Sequence, residues 1–168
     1  AVVYVHSCHP SLANDNLSGI VVAAALADAL RRETPRLTWR FVFGAGTIGS
    51  LAWLSKNEAQ LPRLRAGFTL GLVGDQAPIT YKRSRRGDTA IDRVAELVLE
   101  RSGQPHRVVD FEPYGYDERQ FCSPGFDLPV GRLSRSQHGE YPEYHTSADD
   151  LRLLSAESLA GSIAVGAT

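Results

Sequence analysis

Three residues of this chain could meet on a metal ion. His9 and Asp15 bound a short stretch, His9-Pro10-Ser11-Leu12-Ala13-Asn14-Asp15, and His145 lies far downstream in Glu143-Tyr144-His145-Thr146. Two imidazoles and a carboxylate are a set that Zn²⁺ accepts, and three protein ligands leave a coordination position open. An ion held that way polarises a carbonyl and acidifies water, which is the chemistry of amide hydrolysis. Spacing alone leaves plainer roles open. A loop histidine is often only a hydrogen-bonded surface residue, and an aspartate before a helix often only a cap.

Other residues could assist. Glu143 stands two residues before His145 and Glu140 five before it, and from a loop either could take a proton from water. Both are equally readable as solvated loop charges. Asp149 is placed to orient His145 or its loop rather than to bind metal. Cys8, beside His9, could serve as a nucleophile, but its place at a strand end favours a small buried packing residue. The basic run Lys82-Arg83-Ser84-Arg85-Arg86 is short, has no interleaved aromatics beyond Tyr81, and is offset by 19 acidic residues. It reads as a solvated face or a contact to a substrate carboxylate, not a nucleic-acid surface.

These residues need a frame. Ala1 to Val5 is a short β-branched run that predicts a buried strand. A helix follows to about Arg32, capped by Asn16 or Ser18. Arg36 to Phe43 predicts a second strand, and Ile48 to Leu54 a short helix. Phe68 to Val73 and Ile79 to Tyr81 predict two more strands. Asp88 to Arg101 has helical spacing at Ile91, Val94, Ala95 and Val98, with Asp88 as cap and Gly103 as terminator. Val108 to Phe111 and Leu128 to Leu133 are further strands, and Ser155 to Ala164 a last helix. Alternating strands and helices predict a mainly parallel sheet covered on both faces. Ligands bind such sheets where loops leave the carboxyl ends of strands, and those loops hold nearly all the histidines and isolated acids.

The 168 residues fit one domain, 1–168, and 43% apolar content is enough for a core. The first residues fall inside a strand-like run without Met and the last inside a helical one, so the chain reads as a segment of a longer protein. A net charge of −1 gives no pull toward nucleic acid or membrane surfaces. No apolar run reaches the roughly 20 residues that span a bilayer. Two cysteines are too few for a disulfide framework and fit a reducing, cytoplasmic setting. Homo-oligomerisation is left open.

The strings around the candidate residues resemble a known group. Ala13-Asn14-Asp15-Asn16-Leu17-Ser18-Gly19 resembles a segment of the di-zinc aminopeptidases related to leucyl aminopeptidase, in which the Asp bridges two zinc ions. Tyr144-His145-Thr146-Ser147-Ala148-Asp149 resembles the segment whose His is a ligand, and Asp117 to Val130 parallels a third stretch. The match is closer to a bacterial domain-of-unknown-function group with an aminopeptidase-like fold. It is carried by Cys8 to Asp15, Tyr81 to Gly87, Asp117 to Gln120 and Pro142 to Ser147.

The resemblance implies a three-layer α/β/α zinc-exopeptidase-like (phosphorylase/hydrolase-like) fold with a mainly parallel mixed sheet. It further implies a metallo-aminopeptidase acting on a peptide or small amide. His9, Asp15 and His145 become the expected zinc ligands, with His6 competing with His9. The group's usual Glu pair after the second strand is replaced here by Gly46-Thr47, and an acid expected at the third strand's end falls on Gly71, with Asp75 nearby. One zinc therefore fits better than two. The missing base must be replaced, and Glu143, then Glu118 and Glu140, are the candidates; Glu118 lies where the group carries a polar residue facing the site. The alternatives are an amidohydrolase or deacylase for a small modified molecule, and a non-catalytic zinc-binding module.

Overall fold

The computed structural model describes residues 1–168. Its six strands are β1 (Val2–His6), β2 (Arg40–Gly44), β3 (Gly67–Leu70), β4 (Ile79–Lys82), β5 (His106–Val109) and β6 (Val130–Ser134). They form one sheet in the order β2-β1-β3-β6-β4-β5. β2, β1, β3 and β6 run parallel, as do β4 and β5, while β4 meets β6 antiparallel. The sheet is mainly parallel, as the alternating pattern predicts, and the antiparallel β4–β6 pair makes it mixed, as the resemblance implies.

β1 is buried along its whole length, because both of its faces are covered. Val3 and Val5 pack with Val22 and Leu26 of α1 (Gly19–Arg31), Leu99 of α3 (Ala90–Ser102) and Val165 of α5 (Ala156–Ala167). Val2 and Tyr4 face the other way, onto Leu54 of α2 (Ile48–Lys56) and Phe121 of the short α4 (Glu118–Phe121). Two helical layers thus enclose the sheet. Each fully buried side chain of this size contributes about 1.5–3 kcal/mol relative to exposure, so alternate residues of one strand anchor both layers.

The ends of several elements differ from the sequence reading. α3 is capped by Thr89, not Asp88: Thr89 and Asp92 form a reciprocal capping box, and Gly103 ends the helix at φ 67°. The box wins because Asp92 also accepts from Tyr81 Oη at 2.9 Å and from the Ser84 amide at 2.7 Å, tying the helix to β4. Neither Asn16 nor Ser18 caps α1 with its side chain; the Ser18 hydroxyl instead donates to Asn14 O at 2.7 Å. β6 begins at Val130, two residues past the expected start, and α4 was not foreseen at all, being a single turn without a pattern.

The basic run is a solvated face only at Arg85 and Arg86, which are exposed, and each of its cations is already paired within the protein. Lys82 is buried, Arg83 pairs with Glu96 and Asp110, and Arg85 and Arg86 share Asp127. Cys8 is exposed rather than buried, and neither cysteine is in a disulfide. No helix is long and apolar enough to cross a membrane.

Candidate metal centre

The site gathers where β1, β3 and β6 deliver their carboxyl ends. His6 closes β1, and the loop after it runs into an irregular helical turn, Ala13–Ser18, whose backbone leaves helical torsions at Asp15 (φ −111°, ψ 76°) and Asn16 (φ −147°, ψ 35°). The peptide bond between those two residues is cis. Asn16 holds the turn down: its amide donates to His6 O and Leu70 O, both at 3.1 Å, and accepts from the Leu72 amide at 3.2 Å. One side chain thereby ties the ends of β1 and β3 to the residue beside Asp15. Asn14 does the same one step away, donating to Asp75 at 2.7 Å and accepting from the Gly74 amide at 3.0 Å.

Asp149 reaches the same turn from the loop after β6. Its carboxylate accepts from the backbone amides of Asn14 and Asp15, at 2.6 and 3.0 Å, and from the Tyr141 hydroxyl at 3.3 Å. It therefore orients the Asp15 turn and makes no hydrogen bond to the His145 ring. Asn in this place would set an NH2 against an amide N–H. Asp149→Asn is expected to lower unfolding stability by about 2 kcal/mol, a typical value for a lost bond to a charged group, as a shift of the urea midpoint would report.

So positioned, the Asp15 carboxylate is fully buried and surrounded by donors. His6 Nε2 lies 2.6 Å from Oδ1; His145 Nε2, at 3.0 Å, and His9 Nδ1, at 3.5 Å, lie on the Oδ2 side. The Tyr116 hydroxyl donates to Oδ2 at 2.8 Å and meets the Tyr144 hydroxyl at 2.7 Å. Burial pushes the Asp15 pKa up, but the His6 contact, with Tyr116 and the His9 charge behind it, outweighs burial and holds the group below the usual carboxylate range. Asp15 is an anion at neutral pH.

The donor atoms of His9, Asp15 and His145 all lie within 4.8 Å of one another, as do those of His6, Cys8 and His9. The three residues singled out from the sequence as ligands are therefore brought together. Two observations separate His9 from His6. The Asn16 NH2 lies 3.3 Å from His6 Nδ1, so that nitrogen carries the lone pair and Nε2–H donates to Asp15; both ring nitrogens are satisfied. His9 Nδ1 is buried with no hydrogen-bond partner. A buried imidazole nitrogen without a partner beside a carboxylate and a second imidazole is the donor set a divalent metal such as zinc would complete. His145 holds its place at φ 56°, a backbone region few non-glycine residues adopt, with its ring stacked on Tyr144 at 3.9 Å.

The three glutamates lie in different surroundings. Glu118 is fully buried, with Lys82 Nζ at 2.9 Å and Thr69 at 3.5 Å. Glu140 is exposed and pairs with Arg107 on β5 at 3.1 Å. Glu143 is half-buried and its carboxylate is free of protein partners, while its backbone carbonyl accepts from Thr146. At position 71 a side chain would start 3.0 Å from the His6 ring and 3.1 Å from the Asn16 amide. Any side chain there, a second metal's carboxylate included, would press on both, so His6 and Asn16 would have to shift to admit one. Asp75 is no substitute, since it is buried and accepts from Asn14, Ala77 and Ser136.

Tyr116, Tyr144 and Asn16 were not singled out for this site from sequence. Tyr116 directly precedes Asp117-Glu118 and Asn16 directly follows Asp15, and adjacency to those motifs was the only available signal.

The fold is that of solved zinc aminopeptidases and defines an aminopeptidase-like α/β domain. The family model "Domain of unknown function (DUF4910)" matches residues 1–167, and the chain belongs to that family. A Clostridium acetobutylicum protein, provisionally named as a polysaccharide biosynthesis protein with an aminopeptidase-like domain, is 46% identical over 157 residues, covering 94% of this chain and 36% of its own length. A crystal structure of a provisionally named peptidase from Clostridium acetobutylicum superposes with a TM-score of 0.96 at 43% identity, over 99% of this chain and 39% of the other. The zinc aminopeptidase BSAP of Bacillus subtilis shares the fold, with a TM-score of 0.79 at 24% identity over 99% of this chain and 45% of that one. The chain thus spans less than half the length of each of these three proteins.

Proposed function

We propose that this domain is the metal-binding core of a hydrolase that uses a single zinc ion to cleave an amide bond, acting as an aminopeptidase on peptides with a free amino terminus. The observation that carries the reading is the convergence of His9, Asp15 and His145 around an ionised, buried carboxylate, with His9 Nδ1 lacking a hydrogen-bond partner. A bound zinc would supply Lewis acidity toward the scissile carbonyl and lower the pKa of water. Asp15 gives the site its negative charge, and His6 and Tyr116 hold that carboxylate in place. Glu143, the one candidate glutamate with an unengaged carboxylate, accepts the proton from the attacking water and returns it to the leaving amine. Glu118 and Glu140 are less apt, because each is already bound to a cation.

A second reading has its own support. The Clostridium relative is named for polysaccharide biosynthesis, which favours a deacylase acting on an N-acylated sugar through the same residues.

Elemental analysis of the purified protein is expected to give one zinc per chain. His9→Ala is expected to lose it, and His6→Ala to weaken it by about 10- to 100-fold, the usual effect of an outer partner. Equal loss in both variants would make His6 a ligand, and absence of zinc from the wild type would end the proposal. Aminoacyl-anilides assayed beside N-acetylated sugars decide between the two substrates.

A further inference from the structure

A second group of buried donors lies one aromatic ring away from Asp15. Arg132, on β6, is only 3% exposed, and its guanidinium stands over the Tyr116 ring, 5.2 Å from the centroid. The same Tyr116 hydrogen-bonds Asp15 and stacks on His6 at 4.2 Å. Arg132 Nη1 reaches His138 Nδ1 at 3.3 Å. A guanidinium only donates, so His138 Nδ1 is the acceptor and the ring proton sits on Nε2.

Two buried N–H groups then point to no protein acceptor: Arg132 Nη2 and His138 Nε2. Folded proteins rarely leave such donors unmatched. Glu118, the carboxylate buried in this region, is bonded to Lys82 instead and makes no hydrogen bond to Arg132. The Glu118 charge is near enough to interact with Arg132, but no carboxylate meets the guanidinium in a hydrogen bond or ion pair. Burial, with the Arg132 charge adding to it, lowers the His138 pKa, so His138 is a neutral donor. Tyr114 and Tyr144 flank its ring, at 4.5 and 6.3 Å between centroids.

We propose that Arg132 and His138 form a carboxylate-binding subsite beside the metal-binding residues, so that the substrates of this domain are amides carrying a carboxylate. One guanidinium edge and one neutral N–H supply a single positive charge and two directed donors, which match a carboxylate. A phosphate dianion would leave charge and acceptors uncompensated between the aromatic walls. The amide part of this inference rests on the hydrolase reading above; the carboxylate part does not.

The test has two arms. In the first, calorimetric titration compares benzoate with benzamide. Benzoate is expected to bind the wild type, benzamide to bind at least tenfold more weakly, and Arg132→Gln or His138→Phe to weaken benzoate by about 10- to 100-fold, the range for lost hydrogen bonds to a charged group. Thermal melts establish that the variants are folded, and Arg132→Lys, which keeps the charge without the fork, replaces Arg132→Gln if that variant is not. Benzoate and benzamide binding alike, or benzoate binding that survives in the folded variants, overturns the subsite. In the second arm, kcat/KM is compared within pairs: Leu-Gly against Leu-glycinamide for a main-chain carboxylate, and leucyl-4-aminobenzoate against leucyl-anilide for a carboxylate elsewhere on the leaving group. At least one carboxylate member is expected to lead its pair by tenfold or more in the wild type, and the ratio to fall toward one in the variants. Parity in both pairs overturns the substrate assignment. If benzoate binding behaves as expected but no amide is cleaved, the hydrolase reading fails and the subsite stands.

Discussion

Asp15→Asn is expected to remove zinc and activity together, whereas Glu143→Gln is expected to keep zinc and lose activity alone. Asparagine preserves the shape of Asp15 and can still accept from Tyr116, but it removes the one charge in the cluster. Its loss of zinc affinity should exceed the roughly 10- to 100-fold that an outer partner costs. Several kcal/mol of Lewis-acid stabilisation would go with the ion, about 10³-fold in rate at 1.36 kcal/mol per decade. Glu143 touches none of the three proposed ligands through a hydrogen bond, so its loss should leave the metal in place. Removing a proton-transfer group typically costs about 10²- to 10⁴-fold in kcat. Zinc content by elemental analysis and kcat on an aminoacyl-anilide, read on the same preparations, separate the two. Asp15→Asn protein that holds zinc at wild-type affinity would show the ligand set to be wrong. A fully active Glu143→Gln would return the proton-transfer role to Glu118 or Glu140, or to no glutamate at all.

The contrast between these variants matters because the proposed ligands and the proposed base differ in how openly the sequence shows them. His9, Asp15 and His145 could be picked out because each stands in a loop at a strand's carboxyl end, inside a string with few plausible substitutes. The strands themselves were legible from pattern: Val2-Val3-Tyr4-Val5 of β1 is a continuous apolar run because both faces of the strand are buried. What could not be read were contacts set by distant partners. Asn16 resembles a helix cap until Leu70 and Leu72, more than fifty residues on, are seen to take its amide. Asp149 resembles a support for its neighbour His145, yet it grips backbone amides 134 and 135 residues away. Short polar side chains of this kind bond locally or remotely with equal ease, and only the fold decides which.

The basic run is the sharpest case, and it leads to the second large effect. Four cations in five residues suggest a wet surface, but Lys82 is buried on β4 because Glu118, at the start of α4, is buried opposite it at 2.9 Å. Burial raises the Glu118 pKa; the Arg132 and Lys82 charges and the hydrogen bond from Lys82 overcome it, and the net shift is downward. Glu118→Gln would leave Lys82 and Arg132 facing each other in the interior with no compensating charge. Breaking a buried pair from one side typically costs about 3–5 kcal/mol, a large part of the stability of a domain this size. Urea unfolding at pH 7 is expected to report a loss in that range, with circular dichroism below the transition confirming a folded start. The sign of the pH effect follows from the downward shift. A carboxyl whose pKa is depressed in the folded state contributes its stability above the unfolded value of about 4.3, and loses it as pH falls through the folded value. Wild-type stability should therefore decline below about pH 4.3, while Glu118→Gln, already without that carboxylate, should decline less steeply over the same interval. Parallel acid profiles would mean that Glu118 is not the ionised partner of Lys82 and Arg132, and that Lys82 is held in the core chiefly by its 2.5 Å hydrogen bond to Tyr114 O.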